Sequence, residues 1–143
     1  MNSIIIEPPK RSDIEIIYTW GQENRELWTS EELKWFSKKA LTELITDPRE
    51  HIFLVARVAG KLAGMCITYD LYHWAFVDDL FVVKEFRRGG IGQKLLEKTL
   101  AIFRKKGIDE IGLSVGVHNT SGQKFYKKLG FKLGFEKYVW MYK

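Results

Sequence analysis

The sequence predicts one α/β domain over residues 1–143, built on a mixed β-sheet with about four helices laid against it. Three observations carry this. In Val77–Leu100 the hydrophobic period switches from strand-like to helical at a glycine-rich turn. Along the whole chain the elements alternate in the order β-α-α-β-β-β-α-β-α-β-β. At 143 residues, with 45% hydrophobic residues, five Trp and nine Phe, the chain can bury one sizeable core.

Ser3–Glu7 is a short β-prone run stopped by Pro8 and Pro9. Ser12 and Glu15 stand at capping-box spacing, so a helix is expected to about Trp20, with Gly21 ending it. Thr29 and Glu32 repeat that spacing and open a second helix. Leu33, Phe36, Ala40, Leu41, Leu44 and Ile45 form its apolar stripe, and Asp47-Pro48 closes it. Ile52–Val58 and Leu62–Tyr69 read as antiparallel strands around the tight turn Ala59-Gly60-Lys61. Phe76–Val83 is the central strand. The helix after it presents Ile91, Leu95, Leu96, Leu100 and Phe103 on one face and ends near Lys106-Gly107. Ile108–Val117 is then expected as a strand parallel to the central one, across a right-handed helical crossover. A helix follows over Asn119–Leu129, capped by Asn119 and stopped by Gly130. Phe131–Phe135 and Tyr138–Tyr142 complete the set as two final strands.

The net charge of +5 suits an acidic small molecule as well as nucleic acid. The basic clusters Arg87-Arg88, Arg104-Lys105-Lys106 and Lys127-Lys128 are short enough to be ordinary solvated faces. Cys66 is the only cysteine, which excludes an internal disulfide or a cysteine-rich metal site, and its strand-like surroundings suggest an inert core thiol. No leading signal and no apolar run of membrane-spanning length is present, so a cytoplasmic protein without a membrane partner is expected.

The turn at Glu85–Gly90 points first at an anion. A helix that opens in a glycine-rich turn directs unpaired N–H groups and the positive end of its dipole at whatever sits there, and Arg87 and Arg88 add charge. The dinucleotide fingerprint is incomplete, with Leu95 at the third glycine position, and there is no phosphate-loop Gly-Lys-Ser/Thr. However, Arg87-x-x-Gly90-x-Gly92 after the strand Val-Asp-Asp-Leu-Phe-Val resembles the Arg/Gln-x-x-Gly-x-Gly/Ala signature of the GNAT superfamily of N-acetyltransferases. Asn119 and Tyr126 in VHNTSGQKFYKKLGFK resemble its second motif. The resemblance covers the chain from about Phe53 onward, and the element order is the GNAT order.

That resemblance implies a sheet splayed between its two parallel strands and acetyl-CoA as cosubstrate, with no metal. Backbone groups of Leu80, Phe81 and Val82 would meet the pantetheine. Arg87, Arg88, Gly89, Gly90, Ile91, Gly92 and Gln93 would hold the pyrophosphate, and Asn119 and Tyr126 would complete the cofactor site. Arg88 stands where glycine is frequent, so its side chain must turn outward. The acceptor would be an amine of a small molecule or peptide; homodimers are common in the family, and the oligomeric state is left open by the sequence.

The implied chemistry is amine attack on a thioester. A free alkylammonium has a pKa of about 10.4, so a proton must be removed at neutral pH. By resemblance, Asp78 stands at the position of a suspected base and Tyr126 at that of the acid for the leaving thiolate. From the residues alone Tyr126 reads as a core aromatic, and Asp78 equally as a strand-end carboxylate held by backbone or an arginine. Strand alternation sends neighbouring Asp78 and Asp79 to opposite faces, so they are not expected to share a proton, and Asp79 reads as structural. His51, His73 and His118 are dispersed and read as structural. Trp20, Glu23, Glu26, Trp28, Glu31 and Glu32 could receive a cationic amine, or could be an ordinary helix pair. Two further functions stay open: a GNAT-fold sensor that holds acyl-CoA without turnover, against which Asn119 and Tyr126 speak, and a nucleic-acid-binding domain, which would need an exposed aromatic sheet face with basic flanks.

Overall fold

The computed structural model describes residues 2–28, 35–134, 141 and 143. By its contacts the chain divides into two compact units, Met1–Leu113 and Ser114–Lys143. The first holds five strands, β1 (Ile4–Glu7), β2 (Ile52–Val58), β3 (Lys61–Asp70), β4 (Ala75–Val82) and β5 (Ile111–Leu113), which lie side by side in chain order. The three ladders from β1 to β4 are antiparallel, and β4 pairs with β5 in parallel. Its helices are α1 (Ile14–Glu23), α2 (Lys38–Thr46) and α3 (Ile91–Lys105). The second unit holds α4 (Thr120–Lys128). This is the mixed sheet with flanking helices that the sequence predicts.

Both faces of the sheet are covered, which is why β2 and β3 read as nearly continuous apolar runs. On one face Ile17 and Trp20 of α1 and Leu41 of α2 pack with Phe53, Val55, Met65, Ile67 and Phe81. On the other lies α3, whose Thr99 hydroxyl reaches Cys66 Sγ at 3.6 Å and whose Phe103 packs with Ala75 and Ile108. The Cys66 thiol is fully buried and burial pushes its pKa up, so it is an inert core group as expected.

Arg57 ties the N-terminal elements to the sheet. It stands where β2 slips register against β3. Its Nε donates to Glu7 Oε1 at 2.5 Å, while its two terminal nitrogens donate to Asp13 at 3.1 and 2.6 Å. Asp13 Oδ2 also accepts from the Lys10 N–H at 2.6 Å. Burial opposes ionisation of Asp13, but the Arg57 and Lys10 hydrogen bonds outweigh it and hold the carboxyl below its ordinary range. At the far end of the sheet, Lys106 after α3 donates to Asp70 Oδ2 and to the Glu50 carbonyl, both at 2.8 Å.

Several boundaries differ from the sequence reading. Gly21 does not end α1, which runs on to Glu23 with Asn24 as its C-cap. The glycine is there for space: a Cβ on Gly21 would come within 1.8 Å of the Trp35 indole. Asp13, rather than Ser12 with Glu15, organises the start of α1. The expected start of the second helix at Thr29–Leu33 lies outside the described residues. Trp35–Ser37 is not helical, and α2 begins at Lys38 under a Ser37 cap that accepts the Ala40 N–H at 3.1 Å. Phe36 still packs on the core although it precedes the helix. The strand expected over Ile108–Val117 shortens to Ile111–Leu113, because that is as far as β4 supplies a ladder partner. Phe131–Gly134 is not a strand, since the Phe131 N–H is used to close the end of α4 on the Tyr126 carbonyl at 3.0 Å. The remainder of the two final strands, residues 135–140 and 142, lies outside the described residues.

The Arg57 cluster generates a pH-dependent expectation. Asp13→Asn should destabilise the fold by about 3 kcal/mol at neutral pH, because it leaves a buried guanidinium short of its counter-charge. A carboxyl with a depressed folded pKa contributes stability above its unfolded value of about 3.9 and loses it as pH falls through the folded value. The gap between wild type and variant in urea denaturation should therefore narrow below about pH 4. An equal gap at pH 7 and pH 3 would show that the Asp13 charge does not hold this corner.

Candidate active site

The turn before α3 has the geometry of an anion site. Gly90 opens the helix at φ +80°, a left-handed conformation that glycine adopts without strain. The first helical hydrogen bond runs from the Lys94 N–H to the Gly90 carbonyl at 3.0 Å, so the N–H groups of Ile91, Gly92 and Gln93 precede the helical ladder. No side chain caps this end, and no acidic residue stands in the first turn to neutralise the dipole. Residues Arg87–Gly90 are exposed. Arg88 also has positive φ, at +67°, which explains physically why glycine would be easier there. The Gln93 side chain lies along the helix on Glu97 at 2.8 Å.

Arg87 is placed differently from a simple phosphate ligand. Its Nε donates to the Val82 carbonyl at 2.8 Å, a terminal nitrogen donates to Glu26 at 3.0 Å, and its guanidinium lies 5.8 Å from the Phe81 ring centre. It braces the turn against the end of β4.

β4 itself has an unequal pair of edges. Against β3 it is paired along nearly its full length. Against β5 it is paired only over Ala75–Val77. Among the described residues, Leu80, Phe81 and Val82 therefore have a ladder partner on the β3 side only, beside the turn that leads to α3.

A β-bulge sits where that second ladder stops. Ile67 faces Asp79 and Thr68 faces Val77, so Asp78 has no partner across the β3 ladder. Directly opposed residues share a face. Thr68, which contacts Cys66 Sγ at 3.6 Å, places Val77 on the α3 face. Ile67 and Met65, in the α1/α2 cluster, place Asp79 and Phe81 on the other. The alternation thus slips by one residue at Asp78, and both carboxyls come to the face of α1 and α2. This corrects the expectation that they point apart.

The pair is completed by Tyr69, whose hydroxyl donates to Asp78 Oδ2 at 3.3 Å. Asp78 is exposed, whereas Asp79 is 8% exposed and its Oδ2 meets no donor among the described residues. Burial, then the adjacent Asp78 charge and a hydrogen bond with it, push the Asp79 carboxyl up to about 9. Asp79 therefore carries a proton at neutral pH and donates to Asp78. Burial, followed by the two carboxyl charges, pushes the Tyr69 phenol up as well. The sequence reading missed Tyr69 and took Asp79 as structural. The available signal was two adjacent polar residues inside an otherwise apolar strand, one too many for strict alternation.

The remaining candidates belong to the second unit. Asn119 Oδ1 caps α4 by accepting the Gly122 N–H at 2.9 Å. The Gln123 amide donates to the Gly116 and Val117 carbonyls, both at 3.1 Å, and fixes the loop before the cap. The Tyr126 ring packs between Phe125 and Phe131 at centroid distances of 5.1 and 5.7 Å. Of the acid–aromatic group, Trp20 is a core residue tilted on Phe81 at 5.4 Å and Glu26 is the partner of Arg87. Glu31 and Glu32 lie outside the described residues. Among the described residues there is no group of three or more His, Cys, Asp or Glu that could hold a metal ion, and no helix is long and apolar enough to cross a membrane.

The protonated state of Asp79 can be read from stability alone. A carboxyl whose folded pKa is raised favours folding below its unfolded value of about 3.9 and loses that advantage as pH rises toward the folded value. Asp79→Asn removes this cost, so the variant should gain steadily on wild type between about pH 4 and pH 9 in urea titrations. Parallel stability curves across that window would show that Asp79 ionises normally.

A family model described as the acetyltransferase (GNAT) family matches residues 16–131, which spans both units. An uncharacterized N-acetyltransferase of Chlorobaculum tepidum is 35% identical over 96 residues, which are 66% of this chain and 57% of that protein. The spermidine N(1)-acetyltransferase of Thermoplasma acidophilum is 31% identical over 116 residues, covering 80% of this chain and 71% of that one. The crystal structure of the PaiA N-acetyltransferase of Thermoplasma acidophilum in complex with coenzyme A superposes with a TM-score of 0.80 at 29% identity, over 92% of this chain and 91% of that chain. With the family match, the mixed sheet and the uncapped α3 turn in agreement, the chain belongs to the GNAT family of acetyltransferases.

Proposed function

We propose that this protein is an acetyl-CoA-dependent N-acetyltransferase, working as one catalytic domain over residues 1–143, that acetylates a primary amine of a small molecule or peptide. The observation that carries this reading is the uncapped, acid-free start of α3 beside the one-sided edge of β4. Together they offer donors for a pyrophosphate and unpaired strand groups for the amides of a pantetheine arm. Leu80, Phe81 and Val82 would meet the arm, and Arg88, Gly89, Gly90, Ile91, Gly92 and Gln93 would cradle the phosphates. Arg87 would contribute by holding the turn. Relatives named for spermidine, thialysine and the alanine of ribosomal protein bS18 all act on an amine nitrogen, which supports the acceptor class.

In this reading the acceptor ammonium gives one proton to the Asp78 carboxylate. The neutral nitrogen attacks the thioester carbonyl, the C–N bond forms, and the C–S bond breaks with its electron pair going to sulfur. The second nitrogen proton passes to solvent while Tyr126 gives its phenolic proton to the thiolate and is reprotonated from solvent, leaving an amide and a free thiol. The roles of Asn119 and Tyr126 rest on their motif match. A cleft of about 550 Å³ opens beside Tyr69, with Phe36, Glu43 and His51 in its wall, and offers the amine a route toward Asp78.

Acetyl-CoA and desulfo-CoA should both raise the melting temperature, since a ligand at 100 times its Kd adds about 2.7 kcal/mol of stability. Gly92→Val should abolish that shift while the protein stays folded, because the branched side chain would fill the cradle. Undiminished coenzyme A affinity in this variant would remove the assignment of the turn.

For the acid, Tyr126→Phe should lower kcat on the order of 10²-fold with acetyl-CoA binding unchanged, since the ring stays and only the proton donor is lost. A thioester with a more acidic leaving thiol should partly restore the rate. Full activity of Tyr126→Phe would make Tyr126 a packing residue of α4.

A further inference from the structure

We infer that Asp79 is a positioning residue for acetyl transfer: a neutral acid that donates a hydrogen bond to Asp78 and, with Tyr69, holds that carboxylate as the proton acceptor for the amine. This rests on the reading of Asp78 as base given above. It goes beyond that reading because it assigns the site three groups sharing one negative charge.

The geometry comes from the bulge. A regular strand would send the two carboxyls to opposite faces, and the extra residue at Asp78 brings them to one. On that face Asp78 is reached by solvent, whereas Asp79 is buried among apolar groups of α1, α2 and β3. A buried carboxylate without a donor is costly, and a buried carboxylic acid next to a carboxylate is not, because it then has an acceptor. Asp79 Oδ2 meets no hydrogen-bond partner among the described residues, an orphaned buried oxygen that is far cheaper to hold as a neutral acid than as an anion. Asp78 accepts from the Tyr69 hydroxyl at 3.3 Å, and in the proposed pair it accepts from the neighbouring Asp79 as well.

Two donors on one carboxylate do two things. They fix the orientation of its remaining lone pairs toward solvent, where an ammonium would arrive. They also keep the pair at a single negative charge, so that an amine meets an anion it can discharge. Among the described residues the other titratable or charged groups near the pair are Cys66 and Tyr69 on β3, His51 edge-on to Tyr69 at 5.1 Å, Tyr18 beside the apolar cluster, and Arg87 with Glu26 farther along β4. Burial keeps the Tyr69 phenol and the Cys66 thiol neutral near pH 7, and Arg87 is matched by Glu26.

The test has two arms on the full chain. In the first, infrared difference spectra are recorded without any acceptor. Wild type at pH 7 should show the carbonyl stretch of a protonated carboxylic acid that disappears on raising the pH through about 9, is absent in Asp79→Asn and moves to higher frequency in Asp78→Ala. No such band in wild type, or its persistence in Asp79→Asn, would overturn the inference. In the second, kcat/KM with spermidine as the probe amine is measured against pH. Asp79→Asn, which keeps a donor, should stay within about threefold of wild type. Asp79→Leu, which keeps the packing and loses the donor, should fall about tenfold or more, with a pH profile that differs from that of wild type. Tyr69→Phe should show the same direction with a smaller loss. A wild-type pH profile in Asp79→Leu would overturn the positioning role. Full activity of Asp78→Asn with the Asp79 band intact would instead overturn Asp78 as base, a result distinguishable from failure of the pair itself.

Discussion

The structure turns on the hydrogen-bond accounting of one strand. β4 lies in a covered sheet, where an unpaired backbone group costs about 1–3 kcal/mol. It is paired with β3 along nearly its whole length but with β5 only at Ala75–Val77. The rest of that edge, running toward the α3 turn, is the part of the sheet left for a ligand to complete. An extended chain with amides of its own is the natural occupant, and a charged group at its end would meet the uncapped N–H groups of Ile91, Gly92 and Gln93. The proposed cofactor site is thus less a cavity than an open strand edge.

The bulge at Asp78 serves the same strand in a second way. It shifts the phase of the side chains so that Phe81 reaches the α1/α2 core while Val77 remains on the α3 face. Both faces can then be filled with apolar residues although the ladder on the β5 side has ended. The cost is a second acidic residue turned toward the core. Protonation relieves it, because a neutral carboxylic acid is far easier to bury than an anion. The resulting pair couples the core packing of β4 to the chemistry at its surface.

Contrasting electrostatic solutions hold the periphery. At the Arg57 corner a buried guanidinium is matched by the carboxylates of Glu7 and Asp13. At Lys106 a partly exposed ammonium joins Asp70 to the end of β2. Asp79 meets no such cation among the described residues, and in the proposed pair a proton takes its place. Opposite pH responses follow from these two arrangements within one small protein: Asp13 contributes to stability as pH rises, and Asp79 detracts from it.

The sequence by itself determined the element order, the mixed sheet, the position of the α3 turn and the family. These follow from local signals: a change of period at Gly90, turn residues at Ala59-Gly60, and the spacing of Arg87, Gly90 and Gly92. Asn119 as a helix cap was legible for the same reason, since capping is set within a few residues. Tertiary structure decided what depends on residues far apart in the chain. Gly21 continues a helix because Trp35 needs the space, and β5 is short because β4 supplies it only three rungs. Asp78 and Asp79 share a face because β3 pairs past a bulge, a matter of cross-strand register that a single strand's own sequence does not encode. Arg87 reads as a phosphate ligand from its motif, yet its side chain is engaged by Glu26 and the Val82 carbonyl, a choice made by charges brought together only in the folded chain.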